Sequence, residues 1–287
     1  MSSQIHGVGT TAVAVAAARA LESTRPDALV HDPWAATLVA ASRIDVPYPA
    51  RWPDDLAAVP PLEQSLLLGS LYIGLRTRFI DDELGAGGLR QVVILGSGLD
   101  TRSWRLDWPE DTTVFELDTD SVVSFVGAAL VSPPRARRVP VAADVTQPWA
   151  ANIVAHGFRP AEPTHWVLEG LLPYLSAHDQ AAVLDDVAHL SAPGSRAVIE
   201  RAVPIEDTPD ARERLATFAQ ATGLPMDEVL SRADPPDPAG LLAAAGWAAD
   251  STTITDLERR YGRAIRIGDS ATPSSRGGFV TAHRPRR

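Results

Sequence analysis

The residues with the clearest chemical signature follow a short apolar run, in the stretch QVVILGSGLDTRSWRL at positions 91–106. Gly96 and Gly98 predict a tight turn, because glycine lets the backbone bend sharply and approach a ligand closely. Asp118, in VFELD, follows Gly98 by twenty residues. An acidic side chain at this spacing meets the ribose hydroxyls of an adenosine lying on the glycine turn. The pattern therefore predicts a site for an adenosine-containing cofactor.

The residues after the turn indicate which cofactor that is. A dinucleotide site needs a third small residue, which brings the following helix close to the pyrophosphate. Here Gly98 is followed by Leu99, Asp100 and Thr101, and an aspartate at a helix start repels phosphate. S-adenosyl-L-methionine carries an adenosine, a sulfonium cation and an amino-acid end but no phosphate. The turn therefore favours this methyl donor over a nicotinamide dinucleotide.

Two more acidic residues stand at predicted strand ends. Asp144 follows the run VPVAA; its carboxylate either accepts a hydrogen bond from an adenine amino group or caps the helix that begins near Pro148. Glu169 follows the apolar run THWVL and precedes a glycine. A buried carboxylate needs a partner there, which is a ligand ammonium or an arginine. A purely structural ion pair is the alternative interpretation of Glu169.

The elements that must position these residues can be predicted from apolar periodicity. Helix-period patterns cover residues 10–23, 33–42 and 62–84. From residue 91 onward, helical stretches alternate with short apolar runs: QVVIL, TTVFEL, RRVPVAA, THWVLE and SRAVIE. Such runs predict parallel strands covered on both faces, and therefore a doubly wound α/β fold. DPAGLLAAAGW predicts a further helix and RGGFVTAHR a last strand. In this class, ligands bind at the carboxyl ends of the strands.

Composition excludes several classes of function. The chain of 287 residues contains no cysteine and no lysine, and its net charge is −10. Cysteine nucleophiles, thiolate metal sites and Schiff-base chemistry are therefore excluded, and no metal site is predicted. The negative charge argues against a nucleic-acid partner, because such binding depends on neutralising phosphates. No segment reaches the roughly 20 apolar residues of a membrane span, so we expect no membrane association and a cytoplasmic location.

Several stretches together resemble the leucine carboxyl methyltransferase family, in its actinobacterial branch of polyketide and other small-molecule O-methyltransferases. They are TAVAVAAARALESTRPDALVHDPWA, LRTRFIDDEL, QVVILGSGLDTRSWRL, VFELD, THWVLEGLLPYL, LSAPGSRAVIE and LLAAAGWAADSTTITDLERRYGR. The resemblance implies a Rossmann-like class I methyltransferase sheet of seven strands. It also implies that the N-terminal helical region caps the donor site. The pattern along the chain predicts one domain over residues 1–287, with a helical cap at 1–88, a core at 89–203 and 236–287, and a polar, proline-containing helical insert at 204–235 over the acceptor site.

The resemblance also implies roles for individual residues. Gly96 and Gly98 would hold the amino-acid part of the donor, Asp118 its ribose, and Asp144 with Val145 its adenine. Glu169 would face the donor ammonium group. Arg76 would pair with the donor carboxylate, with Arg78 as the alternative in the same motif. Arg19 would approach the donor from the first helix, or lie in solvent.

The candidates for acceptor chemistry are Tyr174 and His6. Tyr174 ends the loop EGLLPYL and either orients an acceptor oxygen or bonds to backbone. His6 precedes the first helix and is a candidate base, with a structural role as the alternative. Thr146 stands where carboxyl-methylating eukaryotic members have an arginine, which argues against a protein-phosphatase substrate.

We therefore expect methylation of a carboxyl or aromatic hydroxyl oxygen on a small, polyketide-like secondary metabolite. The alternatives are a non-methylating reaction on the same cofactor, such as cyclisation or decarboxylation, and a non-catalytic binding protein. The chain pattern is compatible with a monomer or a homodimer.

Overall fold

The computed structural model describes residues 8–201, 208, 213, 216–217, 219–220, 222–223, 235–267, 270–271 and 277–286. The strands are β1 (Gln91–Leu95), β2 (Thr113–Asp118), β3 (Arg137–Ala142), β4 (Thr164–Leu168), β5 (Arg196–Glu200), β6 (Ala248–Thr253), β7 (Arg266–Ile267), β8 (Ser270–Ala271) and β9 (Gly278–His283). The helices are α1 (Val8–Glu22), α2 (Pro33–Ser42), α3 (Pro61–Gly87), α4 (Arg102–Arg105), α5 (Asp120–Ala129), α6 (Ala150–Ala155), α7 (Ala177–His189), α8 (Pro238–Ala244) and α9 (Ile254–Tyr261).

Seven of these strands form one sheet in the order β3-β2-β1-β4-β5-β9-β6. The first five are parallel, whereas β9 runs antiparallel to both β5 and β6. Strand order reverses at β1, where Gln91 lies beside Thr113 of β2 on one side and Thr164 of β4 on the other. A crevice opens at the carboxyl ends of strands at such a reversal. The predicted doubly wound α/β fold is confirmed.

Both faces of the sheet are covered, which explains the continuous apolar runs. In β1, Val92 and Ile94 pack towards α3 and α9, whereas Val93 and Leu95 pack towards α6 and α7. Alternate residues of a strand point to opposite faces. Because each face meets helices, every residue of β1 is buried. The sheet is therefore a rigid base that fixes where its strands end.

The N-terminal helices pack over one end of the sheet. The Ser70 hydroxyl of α3 donates a 2.7 Å hydrogen bond to the Ala18 carbonyl of α1. Gly74 leaves room for the buried Glu22, whose Oε1 accepts a 2.9 Å bond from the Leu29 amide. Helix α1 is thereby held against α3, in the helical N-terminal region that the apolar periodicity predicts.

Some boundaries differ from the predicted ones. Helix α3 continues to Gly87, because Gly88 adopts φ +58° and ends it in a left-handed cap. Strand β6 (AADSTT) and helix α9 were not predicted: β6 is half exposed and lacks an apolar run. Most of the predicted insert at 204–235 lies outside the described residues. His6 also lies outside them. Among the described helices, none combines the length and the hydropathy of a membrane span. The division into cap, core and insert stays a prediction.

We expect Gly74→Ala to lower the free energy of unfolding by about 1–3 kcal/mol, because overpacking forces neighbours apart. A Cβ atom at Gly74 would lie 2.8 Å from the carboxyl carbon of Glu22. Gly85→Ala is the matched control in the same helix, since a Cβ there meets nothing within 4 Å. Helix propensity predicts that this control leaves stability unchanged or raises it by up to about 1 kcal/mol. Urea denaturation of both variants measures the difference, and equal effects would contradict the packing role of Gly74.

Candidate cofactor site

A cavity of about 520 Å³ opens at the carboxyl ends of β1, β2 and β4, beneath α1. Its wall contains every predicted cofactor-binding residue, together with Tyr174: Arg19, Arg76, Gly96, Gly98, Asp118, Asp144, Val145, Glu169 and Tyr174. Their roles are not decided by position alone. The fold nevertheless brings together residues from α1, α3 and four separate strand ends.

The glycine turn leaves β1 and passes beneath α1. Gly96 and Gly98 have φ values of +63° and +51°, a region that favours glycine. A Cβ atom on Gly96 would lie 2.8 Å from Leu171 Cδ1, and one on Gly98 would lie 3.4 Å from Ala12 Cβ. Any side chain at Gly96 would therefore be strained and would also crowd the wall of the cavity.

Asp118 ends β2 directly opposite this turn. Its Oδ2 accepts a 2.7 Å hydrogen bond from the Gly98 amide, and its Oδ1 accepts a 2.8 Å bond from the Thr119 amide. Burial raises the pKa of Asp118, and these two amides oppose that rise. Each carboxylate oxygen has a second lone pair, so the oriented carboxylate can still accept hydrogen bonds from a ligand.

Asp144 lies at the exposed rim of the cavity, beyond the end of β3. Its Oδ1 accepts bonds from the Thr146 amide at 2.9 Å and the Thr146 hydroxyl at 2.8 Å. Helix α6 begins later, after Trp149, so the alternative that Asp144 caps this helix is not observed. The carboxylate instead stabilises a local turn, and its neighbour Val145 lines the cavity.

Glu169 is held between two arginines. Arg76 Nε lies 2.8 Å from its Oε1, and Arg102 Nη1 lies 2.6 Å from its Oε2. Burial alone would raise the pKa of Glu169, but the charges of Arg102 and Arg76 lower it to about 2. The carboxylate is therefore ionised at neutral pH. Arg76 also bonds Glu200 Oε2 at 3.0 Å through its Nη1, while Tyr72 donates to Glu200 Oε1.

Arg19 approaches the cavity from α1. Its Nε donates to Asp32 Oδ2 at 2.8 Å and its Nη2 to the Leu99 carbonyl at 2.7 Å. Thr101 donates to the same Asp32 oxygen at 2.6 Å. Arg19 is thus buried and paired, which rules out the alternative of a solvated arginine. These bonds fasten α1 and the start of α2 to the loop that follows the glycine turn.

These charged side chains form one continuous array, which we call the ion-pair cluster. Its members are joined in the order Arg19, Asp32, Arg105, Asp81, Arg102, Glu169, Arg76 and Glu200, with Asp100 attached to Arg102. With all members ionised, four arginines face five carboxylates. The cluster therefore carries one surplus negative charge beside the cavity. A ligand with a net positive charge would balance it.

Tyr174 and Thr11 supply uncharged polar groups to the same wall. Thr11 is 7% exposed, and its side chain faces the Tyr174 hydroxyl as a hydrogen-bond partner. Burial raises the pKa of Tyr174, so its phenol stays protonated at neutral pH. Thr11 and Tyr174 both line the cavity, so Thr11 is a candidate ligand contact beside Tyr174. Sequence reasoning missed Thr11, although its place on the helix of the predicted cap was the available signal.

Several other side chains lie away from the cavity. Arg78 is half exposed and pairs with Asp82 at 2.9 Å, so Arg76 is the arginine of its motif that reaches the wall. Trp104 and Trp166 are buried in core clusters and are not among the described lining residues. His165 is buried near the amino end of β4, whereas Glu169 follows the carboxyl end of the same strand. Burial, and secondarily the charge of Arg196, lower its pKa to about 3.

Comparison with known proteins finds a matching family model and similar sequences. A family model described as leucine carboxyl methyltransferase matches residues 12–188. A candidate S-adenosyl-L-methionine-dependent methyltransferase of Streptomyces coelicolor is 41% identical, covering 97% of this chain and 94% of the relative. A candidate of the same description from Mycobacteroides abscessus is 38% identical, covering 94% and 93%.

Two solved structures share the fold. A candidate methyltransferase from Thermobifida fusca has a TM-score of 0.50 at 19% identity and covers 94% of both chains. A DUF574-family protein from Streptomyces avermitilis has a TM-score of 0.54 at 14% identity, covering 87% of this chain and 96% of its own. At such identities the likeness concerns the arrangement of strands and helices alone.

Stability is expected to fall below about pH 6.5 because His165 is buried in its neutral form. The unfolded chain binds a proton near the ordinary histidine pKa of about 6.5, whereas the folded chain binds it only near pH 3. Between these values the unfolding free energy loses up to about 1.4 kcal/mol per pH unit of acidification. His165→Gln should reduce this slope, whereas His178→Gln, at an exposed site on α7, should not. Denaturation at pH 7.5, 6.5 and 5.5 measures the slopes, and identical slopes for both variants would refute the role of His165.

Proposed function

Because this chain belongs to the leucine carboxyl methyltransferase family, we propose that it transfers a methyl group from S-adenosyl-L-methionine to an oxygen atom of a small molecule. The acceptor oxygen is an aromatic hydroxyl or a carboxyl group. A polyketide-like secondary metabolite is the proposed class of acceptor, by likeness to the actinobacterial members of the family.

The surplus negative charge of the ion-pair cluster is the observation that carries the choice of cofactor. S-adenosyl-L-methionine bears a sulfonium, an ammonium and a carboxylate, and hence one net positive charge. The cluster bears one net negative charge beside the cavity. A pyrophosphate-containing dinucleotide would add negative charge at the same place, which Coulomb repulsion disfavours. The donor and the cavity are therefore complementary in charge.

The residues of the wall fit the parts of this donor. Asp118, whose carboxylate is oriented by the Gly98 amide, would accept hydrogen bonds from the ribose. Asp144 and Val145 at the rim would hold the adenine. The remaining contacts, proposed for the amino-acid end, are those of Glu169 with the ammonium, Arg76 and Arg19 with the carboxylate, and Gly96 and Gly98 with the backbone of the methionyl part.

The chemistry of the transfer makes few demands on acid–base groups. When bound, S-adenosyl-L-methionine supplies a methyl group already activated by its positive sulfur. The chain mainly needs to align the acceptor oxygen and exclude water. Helix α1 covers the cavity through Gly9, Thr11, Ala12 and Val15. Tyr174, protonated at neutral pH, would donate a hydrogen bond that orients the acceptor oxygen. His6, the other candidate for acceptor chemistry, lies outside the described residues.

An acceptor that binds without charge fits the described wall better than a carboxylate. The described lining contains two cations, Arg19 and Arg76, and both already pair with carboxylates. The same lining holds four carboxylates, those of Asp100, Asp118, Asp144 and Glu169, so a carboxylate acceptor would add negative charge to a site that is already negative. This observation favours an aromatic hydroxyl. The proposed partners are a small-molecule acceptor and no nucleic acid, in keeping with the net charge of −10.

Binding of S-adenosylhomocysteine, the product of the donor, tests the site by calorimetry. We expect Asp118→Ala to weaken its affinity at least about tenfold, because hydrogen bonds to a charged acceptor contribute about 1.5–3 kcal/mol each. Asp120→Ala is the matched control, since Asp120 is exposed and bonds only Ser124 in the described contacts. It should leave affinity unchanged. If both variants bind like the wild type, Asp118 does not hold the ribose.

The acceptor atom can be identified from the product. We expect the purified protein with S-adenosyl-L-methionine to add the mass of one methylene to members of a panel of phenols. The products should resist alkaline hydrolysis, because aryl methyl ethers are stable to base whereas methyl esters are cleaved. Cleavable products would assign a carboxyl acceptor instead. If the protein binds the donor and converts the acceptor into a product without the mass of an added methylene, the result would support a non-methylating reaction such as cyclisation or decarboxylation.

A further inference from the structure

Arg102 is a buried arginine that does not line the cavity but bonds residues that do. It is the first residue of α4 and is 2% exposed. Its Nη1 bonds both Asp100 and Glu169 Oε2, the latter at 2.6 Å. Asp100 and Glu169 both line the cavity. Arg102 thus stands directly behind the part of the wall to which the cationic end of the donor is assigned.

The far side of Arg102 is held by α3. Its Nε donates to Asp81 Oδ1 at 2.8 Å, and Arg105 bonds the same Asp81 carboxylate at 2.5 and 2.8 Å. Asp81 therefore has a partner even without Arg102, whereas Asp100 has no other arginine among its described contacts. Removing Arg102 would leave Asp100 and Glu169 close together in a buried wall. A buried carboxylate without a positive partner is costly, and it tends to become neutral by binding a proton.

The two arginines at Glu169 divide its oxygens between them. Arg102 Nη1 donates a hydrogen bond to Oε2, whereas Arg76 Nε lies 2.8 Å from Oε1 as an ion pair without a hydrogen bond. Because a carboxylate has about four acceptor sites, lone pairs remain for a ligand. Holding both oxygens also fixes the rotation of the carboxylate, which a single arginine would leave free.

We propose that Arg102 is a positioning residue for the donor: it holds Glu169 ionised and aimed at the cavity, so that Glu169 can bind the donor ammonium group. This inference rests on the proposed function. It assigns Arg102 no contact with the donor itself.

The charges around Glu169 determine what happens without Arg102. Arg102 faces Glu169 from α4, Arg76 from α3 and Arg19 from α1, while Asp100, Glu200 and Tyr72 contribute negative or neutral oxygens nearby. Burial raises the pKa of Glu169, and Arg102 is the largest of the opposing charges. Arg76, the next largest, is shared with Glu200. Without Arg102, the pKa of Glu169 therefore rises, and acidification would neutralise the carboxylate and weaken ammonium binding.

The test is S-adenosylhomocysteine binding to the full chain by calorimetry between pH 6 and 8.5. Wild-type affinity should vary by less than about threefold over this range, because Glu169 does not titrate there. Arg102→Met should bind at least about tenfold more weakly at pH 8, and should lose a further factor of several on acidification to pH 6. Arg138→Met is the matched control: Arg138 pairs with buried Glu116 at 2.6 Å and lies outside the described wall. It should show the flat wild-type profile.

A second ligand separates positioning from general damage to the site. 5′-Methylthioadenosine has the adenosine but no amino-acid end, so its affinity should be equal in the wild type and in Arg102→Met. If Arg102→Met does not fold, Arg102→Lys keeps the charge but loses the fork that reaches Asp81 through Nε while Nη1 bonds Asp100 and Glu169. It should lose at least about threefold in S-adenosylhomocysteine affinity and nothing in 5′-methylthioadenosine affinity.

Two outcomes would overturn the inference. One is a folded Arg102 variant with wild-type affinity and a flat pH profile, and the other is an equal loss of affinity for both ligands. Failure of the wild type to bind either ligand would instead refute the proposed function, and with it the role of Arg102.

Discussion

The structure around the cavity depends on the Glu169 carboxylate, which is held between Arg76 and Arg102. These three residues come from the loop after β4, from α3 and from α4. Breaking a buried ion pair by removing one partner commonly costs several kcal/mol, because it leaves a charge without compensation. The three segments are therefore held in one arrangement more strictly than apolar packing alone would require. The shape of the cavity follows from that arrangement.

The ion-pair cluster also includes Arg19 of helix α1, which covers the cavity. Asp32 accepts bonds from Arg19 of α1 and from Thr101, while Arg19 also reaches the Leu99 carbonyl. The glycine turn and the cap are thus joined by hydrogen bonds with defined directions. Apolar contacts between α1 and the loop allow sliding at little cost, whereas directed bonds to a buried carboxylate do not. This explains how an alanine-rich helix with few large side chains keeps a fixed register over the cavity.

The parts that could be predicted from sequence are those with local causes. Strands β1, β2, β4 and β5 can be predicted because each is buried on both faces, whereas β3 is a largely exposed edge strand that was predicted from its short apolar run. Gly96, Gly98 and Asp118 can be predicted because their spacing belongs to one βαβ unit. The partners of the charged residues have no local signature. Arg102 and Glu169 are 67 positions apart, and Arg76 and Glu200 are 124 apart.

Asp100 shows how a local argument can lead to a correct result for an incomplete reason. From the sequence, an aspartate at the helix start repels phosphate and so disfavours a dinucleotide. In the structure, Asp100 is paired with Arg102, so its own charge is largely compensated and cannot exclude phosphate by itself. The exclusion belongs to the whole cluster, in which five carboxylates exceed four arginines. A surplus shared in this way is not removed by small shifts of one side chain, so under the proposed function it would favour a positively charged ligand.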